Sequence, residues 1–227
     1  MMYNHIVVPA LTVTDRRRGF IVGEKRFSRR EEEKQRQRSE MFGAALDLFS
    51  QKGFYNVSMQ EIAQRADFAI GTVYKFFKNK EDLYKSMLME KAQEFHKVLK
   101  EVLDTKGDPL TVLRDYVAAK GTVFAKNVES VRLYFAETQG ASYNLKAGLD
   151  QDIQSLYDEV LDKLTSLFKA GIRKKLFRKL DPYYMAVALE GLTNSFLFCW
   201  LEDTEAHPYE QNVTLMTDMF LQGVATK

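Results

Sequence analysis

The stretch IGTVYKFFKNK, at positions 70–80 of this 227-residue chain, carries residue types that suit contact with a nucleic acid. Gly71 lets a backbone approach another surface closely. Thr72 can bond a phosphate or touch a thymine methyl, and Lys75 can donate to guanine or to phosphate. The hydroxyl of Tyr74 suits a phosphate at the edge of such a surface. These residues predict a small, basic surface that enters a DNA groove.

Phosphate contacts are predicted on both flanks of that surface. Lys80 takes the first position of a predicted helix, where free backbone N–H groups and the positive end of the helix dipole favour an anion. Ser58 caps an earlier helix and can hold a phosphate on the opposite side. Val73 and Phe77 lie four residues apart, so we expect both to face the core and to hold the surface in place.

Short helices with well-defined starts must position these residues. Ser58 makes a capping box with the glutamate three residues on, which predicts a short helix after Ser58. Residues 67–69 interrupt that helix, and a second short helix begins near Ile70. Asn79 then caps a long helix that continues to about residue 104. Two short helices joined by a three-residue turn match the helix-turn-helix, whose second helix enters the major groove of DNA.

On these residues the sequence resembles the TetR/AcrR family of transcriptional regulators. The family pattern is a capped helix with an Ile-Ala pair, a turn, Gly-Thr-Val-Tyr, an aromatic pair, and Lys-Glu before Leu. It stands here as VSMQEIAQRADFAIGTVYKFFKNKEDLY, residues 57–84, and AALDLFSQKGFYNVS extends it back to residue 44. The resemblance implies a homodimer that binds a palindromic operator in double-stranded DNA, usually as a repressor. It also implies release from DNA when a small molecule occupies the C-terminal domain.

The resemblance also implies individual DNA contacts. It assigns phosphate contacts to four residues and base-edge contacts to three: Ser58, Thr72, Tyr74 and Lys80 for phosphate, and Ile70, Gly71 and Lys75 for base edges.

Three positions depart from the family pattern. The usual turn glycine is Asp67 here, which we expect to be tolerated because Asp adopts the left-handed region more readily than most residues. The usual serine cap of the recognition helix is Ala69, which has no side-chain oxygen. A frequent tyrosine is Phe76, which has no hydroxyl. These departures affect individual contacts more than the docking of the helix.

The rest of the chain repeats apolar residues at helical spacing, and no segment shows a convincing alternation typical of a strand. The fold class predicted is therefore all-α, with about nine helices. We expect an N-terminal arm at residues 1–27, a three-helix helix-turn-helix domain at residues 28–79, and a ligand-binding and dimerisation domain at residues 80–227. The helix at residues 80–104 connects the last two.

Aromatic side chains of the C-terminal domain are candidates to line a cavity for a small hydrophobic or flat aromatic effector. Residue by residue, ordinary core packing is the commoner explanation for them. The candidates are Tyr116, Phe124, Tyr134, Phe135, Tyr157 and Phe168.

The predicted eighth helix, DPYYMAVALEGLTNSFLFCW, is apolar on nearly all sides. Its small residues recur at spacings of 3, 4 and 4, and small residues permit two helices to approach closely. A buried helix within one chain has a similar composition. Because helices eight and nine form the dimer bundle in the resembling family, we favour a dimer interface at Ala188, Gly191, Ser195 and Cys199.

Charge is distributed unevenly along the chain. Residues 1–100 contain 19 Lys and Arg against 13 Asp and Glu, whereas residues 101–227 contain 14 against 18. This asymmetry favours a polyanionic partner for the N-terminal half.

Several other functional classes find little support. His5, His96 and His207 are scattered and Cys199 is the one cysteine, so no metal-ligand spacing is present. The sequence also lacks a Gly-rich phosphate loop and a nucleophile elbow. We therefore expect no enzyme, no metal and no cofactor. The N-terminus lacks a signal-peptide pattern, and no apolar run approaches the roughly 18 residues of a membrane span, which predicts a cytoplasmic protein without a membrane partner.

Two alternatives remain open from sequence. One is a helical protein that binds apolar ligands without specific DNA recognition, which the departures at Asp67, Ala69 and Phe76 would suit. The other is an α-helical enzyme that uses the aromatic cavity, although no convergent acid, base or nucleophile supports it.

Overall fold

The computed structural model describes residues 28–133 and 143–226, with side chains over 28–133 and 151–226. The predicted arm and the two cavity candidates Tyr134 and Phe135 lie outside these residues. Within the described residues the regular structure is helical, apart from one isolated antiparallel bridge between Phe177 and Ala225. The all-α prediction is therefore confirmed.

The described helices follow one another in the predicted order. They are α1 (Arg29–Lys52), α2 (Met59–Arg65), α3 (Ile70–Phe76), α4 (Lys80–Leu103), α5 (Pro109–Ala125), α6 with its described part at residues 128–133, α7 (Tyr143–Arg173), α8 (Pro182–Glu202) and α9 (Tyr209–Val224), with a short 3₁₀ turn (Phe54–Asn56) between α1 and α2.

The chain divides after Arg36 into two units. In the first unit the described residues contain the start of α1. The Ser28 N–H donates to the Glu31 carboxylate at 2.7 Å, and the Glu31 N–H donates to Ser28 Oγ at 3.3 Å. This reciprocal pair satisfies N–H groups that a helix start leaves without partners.

The second unit, residues 37–227, contains two hydrophobic clusters. The first lies among α1, α2, α3 and the start of α4, around Phe49, Ile62, Val73 and Tyr84. Gly53 ends α1 with a φ of 76°, a conformation that glycine adopts without steric cost. Phe54 then packs against Phe49, with 5.4 Å between the ring centroids.

The second cluster lies among α4, α5, α7, α8 and α9. In α7 the apolar residues Ile153, Leu156, Tyr157 and Val160 recur at helical spacing, and the helix begins ten residues before Ile153, at Tyr143. Once a helix is nucleated, each further residue of fair propensity adds at little cost. A short apolar period therefore underestimates the length of the helix.

Two glycines permit close packing in this second cluster. A Cβ at Gly121 would overlap the ring of Tyr209, and a Cβ at Gly171 would overlap the ring of Phe177. Phe177 is buried and forms the bridge to Ala225, so Gly171 lets the segment after α7 lie directly on the helix.

Candidate nucleic-acid interface and effector cavity

The start of α2 is fixed by the capping box that the sequence predicts. The Glu61 N–H donates to Ser58 Oγ at 3.2 Å, and the Ser58 N–H and hydroxyl both donate to the Glu61 carboxylate at 2.9 Å. Lys52 Nζ donates to the same carboxylate at 2.8 Å. These hydrogen bonds, that of Lys52 first, lower the pKa of Glu61 to about 2. The Glu61 carboxylate in this cap is therefore ionised at neutral pH.

The turn between α2 and α3 forms without glycine. Asp67, which stands where the family usually has the turn glycine, adopts the left-handed conformation with a φ of 59°. The Phe68 N–H then donates to the carbonyl of Ala63 at 2.9 Å, which closes the end of α2. Ala69 caps α3 with extended backbone and gives no side-chain hydrogen bond. α3 thus keeps its place through packing, because Val73 and Phe77 are both buried.

The outer face of α3 carries most of the predicted contact residues. Gly71, Tyr74 and Lys75 are exposed, and Tyr74 keeps 52% of its surface accessible. No heavy atom lies within 4 Å of a Cβ built at Gly71, so the space before this face is open. Thr72 is half-buried. The face is therefore free to contact another molecule.

Two apolar residues of α3 lie less far outward than the sequence suggests. Ile70, a predicted base-edge contact, is half-buried and packs against the first hydrophobic cluster. Phe76, at a position where the family pattern often has tyrosine, is half-buried and packs against the same cluster, and its ring centroid lies 6.2 Å from that of Phe77. The reason is that a seven-residue helix anchored by two buried residues brings their neighbours into contact with the core.

The ammonium group of Lys80 bonds within the chain, whereas the sequence suggested that it was free for phosphate. Its Nζ donates to the carbonyls of Phe54 and Val57, each at 2.7 Å, and lies 4.5 Å from the centroid of the Phe54 ring. This ammonium ties the α1–α2 connection to the start of α4. The backbone N–H of Lys80 lies in the first turn of α4, where a helix offers no acceptor of its own.

Two exposed residues on connections between the N-terminal helices escaped the sequence reasoning. Tyr55, on the 3₁₀ turn, keeps 65% of its surface accessible. Lys78, between α3 and α4, is exposed, and its N–H donates to Asp82 at 2.9 Å. The signal available was their position in the sequence. Tyr55 lies between the caps at Gly53 and Ser58, and Lys78 directly precedes the cap at Asn79.

A cavity of about 510 Å³ lies among α4, α5, α6, α7 and α8. This volume is within the range of about 300–1,000 Å³ that small-molecule sites usually have. Its wall is largely apolar and aromatic, and Phe95 and Phe124 meet edge-on with 5.6 Å between centroids. The space is of a size and character to take a drug-sized apolar molecule.

Three of the aromatic candidates line this cavity, namely Tyr116, Phe124 and Tyr157. Phe168 does not line it, and the prediction for this residue is corrected. It is fully buried in the core, 5.4 Å from the ring of Phe177 and 5.6 Å from that of Phe220. An apolar helical period marks a buried side chain but does not distinguish core from cavity wall.

A buried polar cluster borders the cavity, and the sequence reasoning missed it. Lys120 Nζ lies 2.9 Å and 3.0 Å from the two carboxylate oxygens of Glu190, and also donates to Thr193 Oγ1 at 2.9 Å and Asn194 Oδ1 at 2.8 Å. The Tyr116 hydroxyl donates to Glu190 at 2.6 Å. Burial, and then the charge of Glu190, raise the pKa of Tyr116 well above its usual value, so the phenol stays a donor. No local pattern indicates this pairing, because Lys120 and Glu190 lie on different helices, 70 residues apart.

The predicted small-residue stripe of α8 lies on an exposed face. Ala188, Gly191, Ser195 and Cys199 are all exposed, and a Cβ at Gly191 would meet no atom within 4 Å. Large apolar residues of α8 and α9 are exposed as well, between 38% and 69%: Tyr184, Val187, Phe198, Leu215 and Met219.

α8 is the one described helix that is long and apolar enough to cross a membrane, and 39% of the qualifying window is buried. It packs against α7 and α9 and carries the buried Glu190. Among the described residues no group of His, Cys, Asp and Glu could hold a metal ion.

Comparison with known protein families gives one match by a family model. It is described as bacterial regulatory proteins, tetR family, and it covers residues 42–87. These residues include the second half of α1, all of α2 and α3, and the start of α4.

A curated relative extends the similarity along nearly the whole chain. The HTH-type transcriptional regulator AcrR of Shigella flexneri is 37% identical over 202 residues, which are 84% of this chain and 92% of the relative.

Solved structures show the same fold. FadR of Bacillus subtilis in complex with stearoyl-CoA has a TM-score of 0.69 at 20% identity, over 82% of this chain and 98% of FadR. The complex of triclosan with SmeT, the repressor of a Stenotrophomonas maltophilia efflux pump, has a TM-score of 0.69 at 21% identity, over 85% of this chain and 93% of SmeT.

Proposed function

The chain belongs to the TetR family of bacterial transcriptional regulators, and from that premise we propose a specific function. It is a cytoplasmic repressor that binds a palindromic operator in double-stranded DNA as a homodimer, and a small hydrophobic or aromatic effector releases it. The observation that carries this proposal is the face of α3: Gly71, Tyr74 and Lys75 are exposed while Val73 and Phe77 anchor the helix in the core.

In the proposed complex α3 enters the major groove. Gly71 gives clearance for the DNA backbone, and Lys75 and the accessible part of Ile70 reach base edges. The phosphate contacts on the flanks come from Ser58, Thr72, Tyr74 and Lys80. Ser58 reaches a phosphate by turning its hydroxyl from Glu61, whereas Lys80 offers its backbone N–H at the start of α4.

We also propose the domain division that the sequence predicts. Residues 1–27 form an arm, residues 28–79 the DNA-binding domain, and residues 80–227 the effector and dimerisation domain, with α4 as the connection.

An effector in the cavity acts on α4 directly in this proposal. Leu88 on α4 and Ile153 on α7 line the cavity, and both also pack in the first hydrophobic cluster with the anchors of α3. A ligand that displaces them therefore changes the packing beneath the DNA-binding face. FadR with stearoyl-CoA and SmeT with triclosan support an apolar or aromatic effector for a protein of this fold.

The homodimer proposal rests on the exposed apolar face of α8 and α9. A contiguous apolar face on a monomer commonly marks an interaction site. Small residues on α8 let the helices of two protomers approach closely, and the dimer explains why α8 is apolar on its exposed side as well as its buried side.

Fluorescence anisotropy with DNA from upstream of the gene tests the proposal. We expect specific, salt-dependent binding, and we expect Lys75→Ala to weaken it by about 1–3 kcal/mol and to relax base preference. Lys169→Ala removes an exposed lysine of α7 and serves as the control with unchanged binding. Folded dimer that binds no DNA specifically would favour the alternative of an apolar-ligand-binding protein, which the uncapped start of α3 at Ala69 would suit.

A further inference from the structure

The lysines on the described cavity wall already have carboxylate partners. Lys91 Nζ lies 2.8 Å from Glu94 and Lys120 Nζ lies 2.9 Å from Glu190, whereas His96 Nε2 lies 2.9 Å from Glu159 without hydrogen-bond geometry. The side chains of Lys120 and Glu190 are 3% and 5% exposed, so this pair has lost nearly all its water. Lys120 and Glu190 both line the cavity, so the charges of this pair cancel within the cavity wall.

Neither an anionic nor a cationic head gains by entering such a site. The three N–H groups of Lys120 face Glu190, Thr193 and Asn194. An anion would have to displace one of these acceptors and lie beside the Glu190 carboxylate. A cation would compete with Lys120 for that carboxylate and lie beside the ammonium. Breaking a buried ion pair leaves an uncompensated buried charge, which is strongly unfavourable.

Asn194 offers a different contact. A lysine ammonium can only donate, so the Asn194 atom 2.8 Å from Lys120 is the side-chain carbonyl oxygen. This contact determines the orientation of the Asn194 amide group. No acceptor in the described part of the chain takes a hydrogen bond from the Asn194 amide nitrogen. Asn194 lines the cavity, and so does Tyr157. Burial first, and then the charge of Glu190, raise the pKa of Tyr157, so its hydroxyl stays protonated and able to donate.

We propose that the cavity selects an uncharged amphiphile: an aromatic or apolar body whose hydrogen-bond-accepting head, such as the carbonyl of a ketone, ester or amide, binds the amide group of Asn194 and the hydroxyl of Tyr157. The inference rests on the proposed function, because it names the chemical class of the effector for that cavity. The Lys120–Glu190 pair holds Asn194 in orientation and rejects charged heads.

Three probes with one naphthalene body test the head group. They are 2-acetylnaphthalene, 2-naphthoate and 2-(aminomethyl)naphthalene, measured by calorimetry at neutral pH on the full chain without DNA. We expect the ketone to bind at least tenfold more tightly than either charged probe. Tighter binding of the carboxylate or the ammonium probe, or no binding of the ketone, overturns the inference.

Variants of Asn194 make the test specific to the proposed donor. Asn194→Leu removes both donors and should weaken ketone binding tenfold or more. Asn194→Asp removes the donors, adds a charge and should move the preference towards the ammonium probe. Ser166→Ala, on the exposed face of α7, is the control that should leave all three affinities unchanged. Circular dichroism verifies the fold of each variant, and ketone affinity unchanged in both Asn194 variants contradicts the inference.

Failure of this inference is distinguishable from failure of the proposed function. Calorimetry reports on the cavity alone, and anisotropy with operator DNA reports on regulation. Selective ketone binding by a protein that binds no operator upholds the inference and overturns the regulator proposal. Operator binding by a protein whose cavity prefers a charged probe does the reverse.

Discussion

At the scale of single residues, environment decides what each lysine does. Lys75 and Lys80 lie five positions apart, and the resemblance to the TetR family predicts a DNA contact for both. Lys75 is exposed on α3, whereas the ammonium of Lys80 donates to carbonyls of the α1–α2 connection. The ammonium of Lys120 donates to three side chains in the core: a carboxylate, a hydroxyl and an amide oxygen. Residue type and position predicted a basic site, but not which cations are already bound internally.

Replacement of Lys80 tests this distinction. Lys80→Met keeps the apolar stem against Phe54 but leaves two carbonyls without their charged donor, so we expect the free energy of unfolding to fall by about 1–2 kcal/mol. Operator binding should weaken because the α1–α2 connection loosens. The slope of log affinity against log salt concentration should stay close to that of the parent, because the proposed phosphate contact is a backbone N–H.

Lys75→Met is the matched comparison. It should leave unfolding nearly unchanged, weaken operator binding by about 1–3 kcal/mol and relax base preference, because the contact proposed for Lys75 is to base edges. Urea unfolding and anisotropy over a salt series measure both quantities. A salt slope reduced in magnitude by about 0.9 in Lys80→Met, the value expected when one fewer phosphate is neutralised, with unfolding unchanged, would restore its ammonium to the phosphate contacts.

At the scale of helices, starts were predictable and tertiary partners were not. The caps at Ser58, Asn79 and Asp181 each hydrogen-bond within three residues of themselves, so the sequence pattern contains the whole interaction. Lys120 and Glu190 are 70 residues apart, and nothing local indicates that they meet. The same limit explains Phe168, whose helical period identifies it as buried without indicating which helices surround it.

Glycines within helices show how far element packing tolerates change. Gly171 lies on α7 under the ring of buried Phe177, which the bridge to Ala225 prevents from moving aside. We expect Gly171→Ala to lower the free energy of unfolding by about 1–3 kcal/mol through overpacking. Thermal and urea unfolding measure this change.

Gly43→Ala is the control, because Gly43 lies in α1 with no atom within 4 Å of the new Cβ. Alanine should stabilise that helix by about 0.5–1 kcal/mol. Equal effects at the two positions would mean that helix propensity, and not the Phe177 contact, determines the result at Gly171.

At the scale of the whole molecule, one helix serves two surfaces. The inner face of α8 carries Glu190 and Asn194 on the cavity wall, and its outer face carries the exposed small residues of the proposed dimer interface. In the proposed dimer, a ligand on the inner face lies one helix diameter from the partner protomer. The spacing of the two DNA-binding faces of that dimer, which must match half-sites about 34–36 Å apart or a multiple of that distance, depends on the same helix.

The dimer itself is tested at Gly191. In a twofold interface each residue occurs twice, so Gly191→Glu brings two carboxylates and their desolvation cost into one contact. The open space around Gly191 lets the protomer accept the side chain without repacking. We expect sedimentation equilibrium to show a dimer for the parent and a monomer for Gly191→Glu, with unchanged helix content. Loss of the dimer should lower operator affinity, because a monomer reaches only one half-site.

Gly43→Glu is the control, because it adds the same charge at another open helical glycine and should remain dimeric. A Gly191→Glu protein that also remains dimeric would show that the partner packs elsewhere.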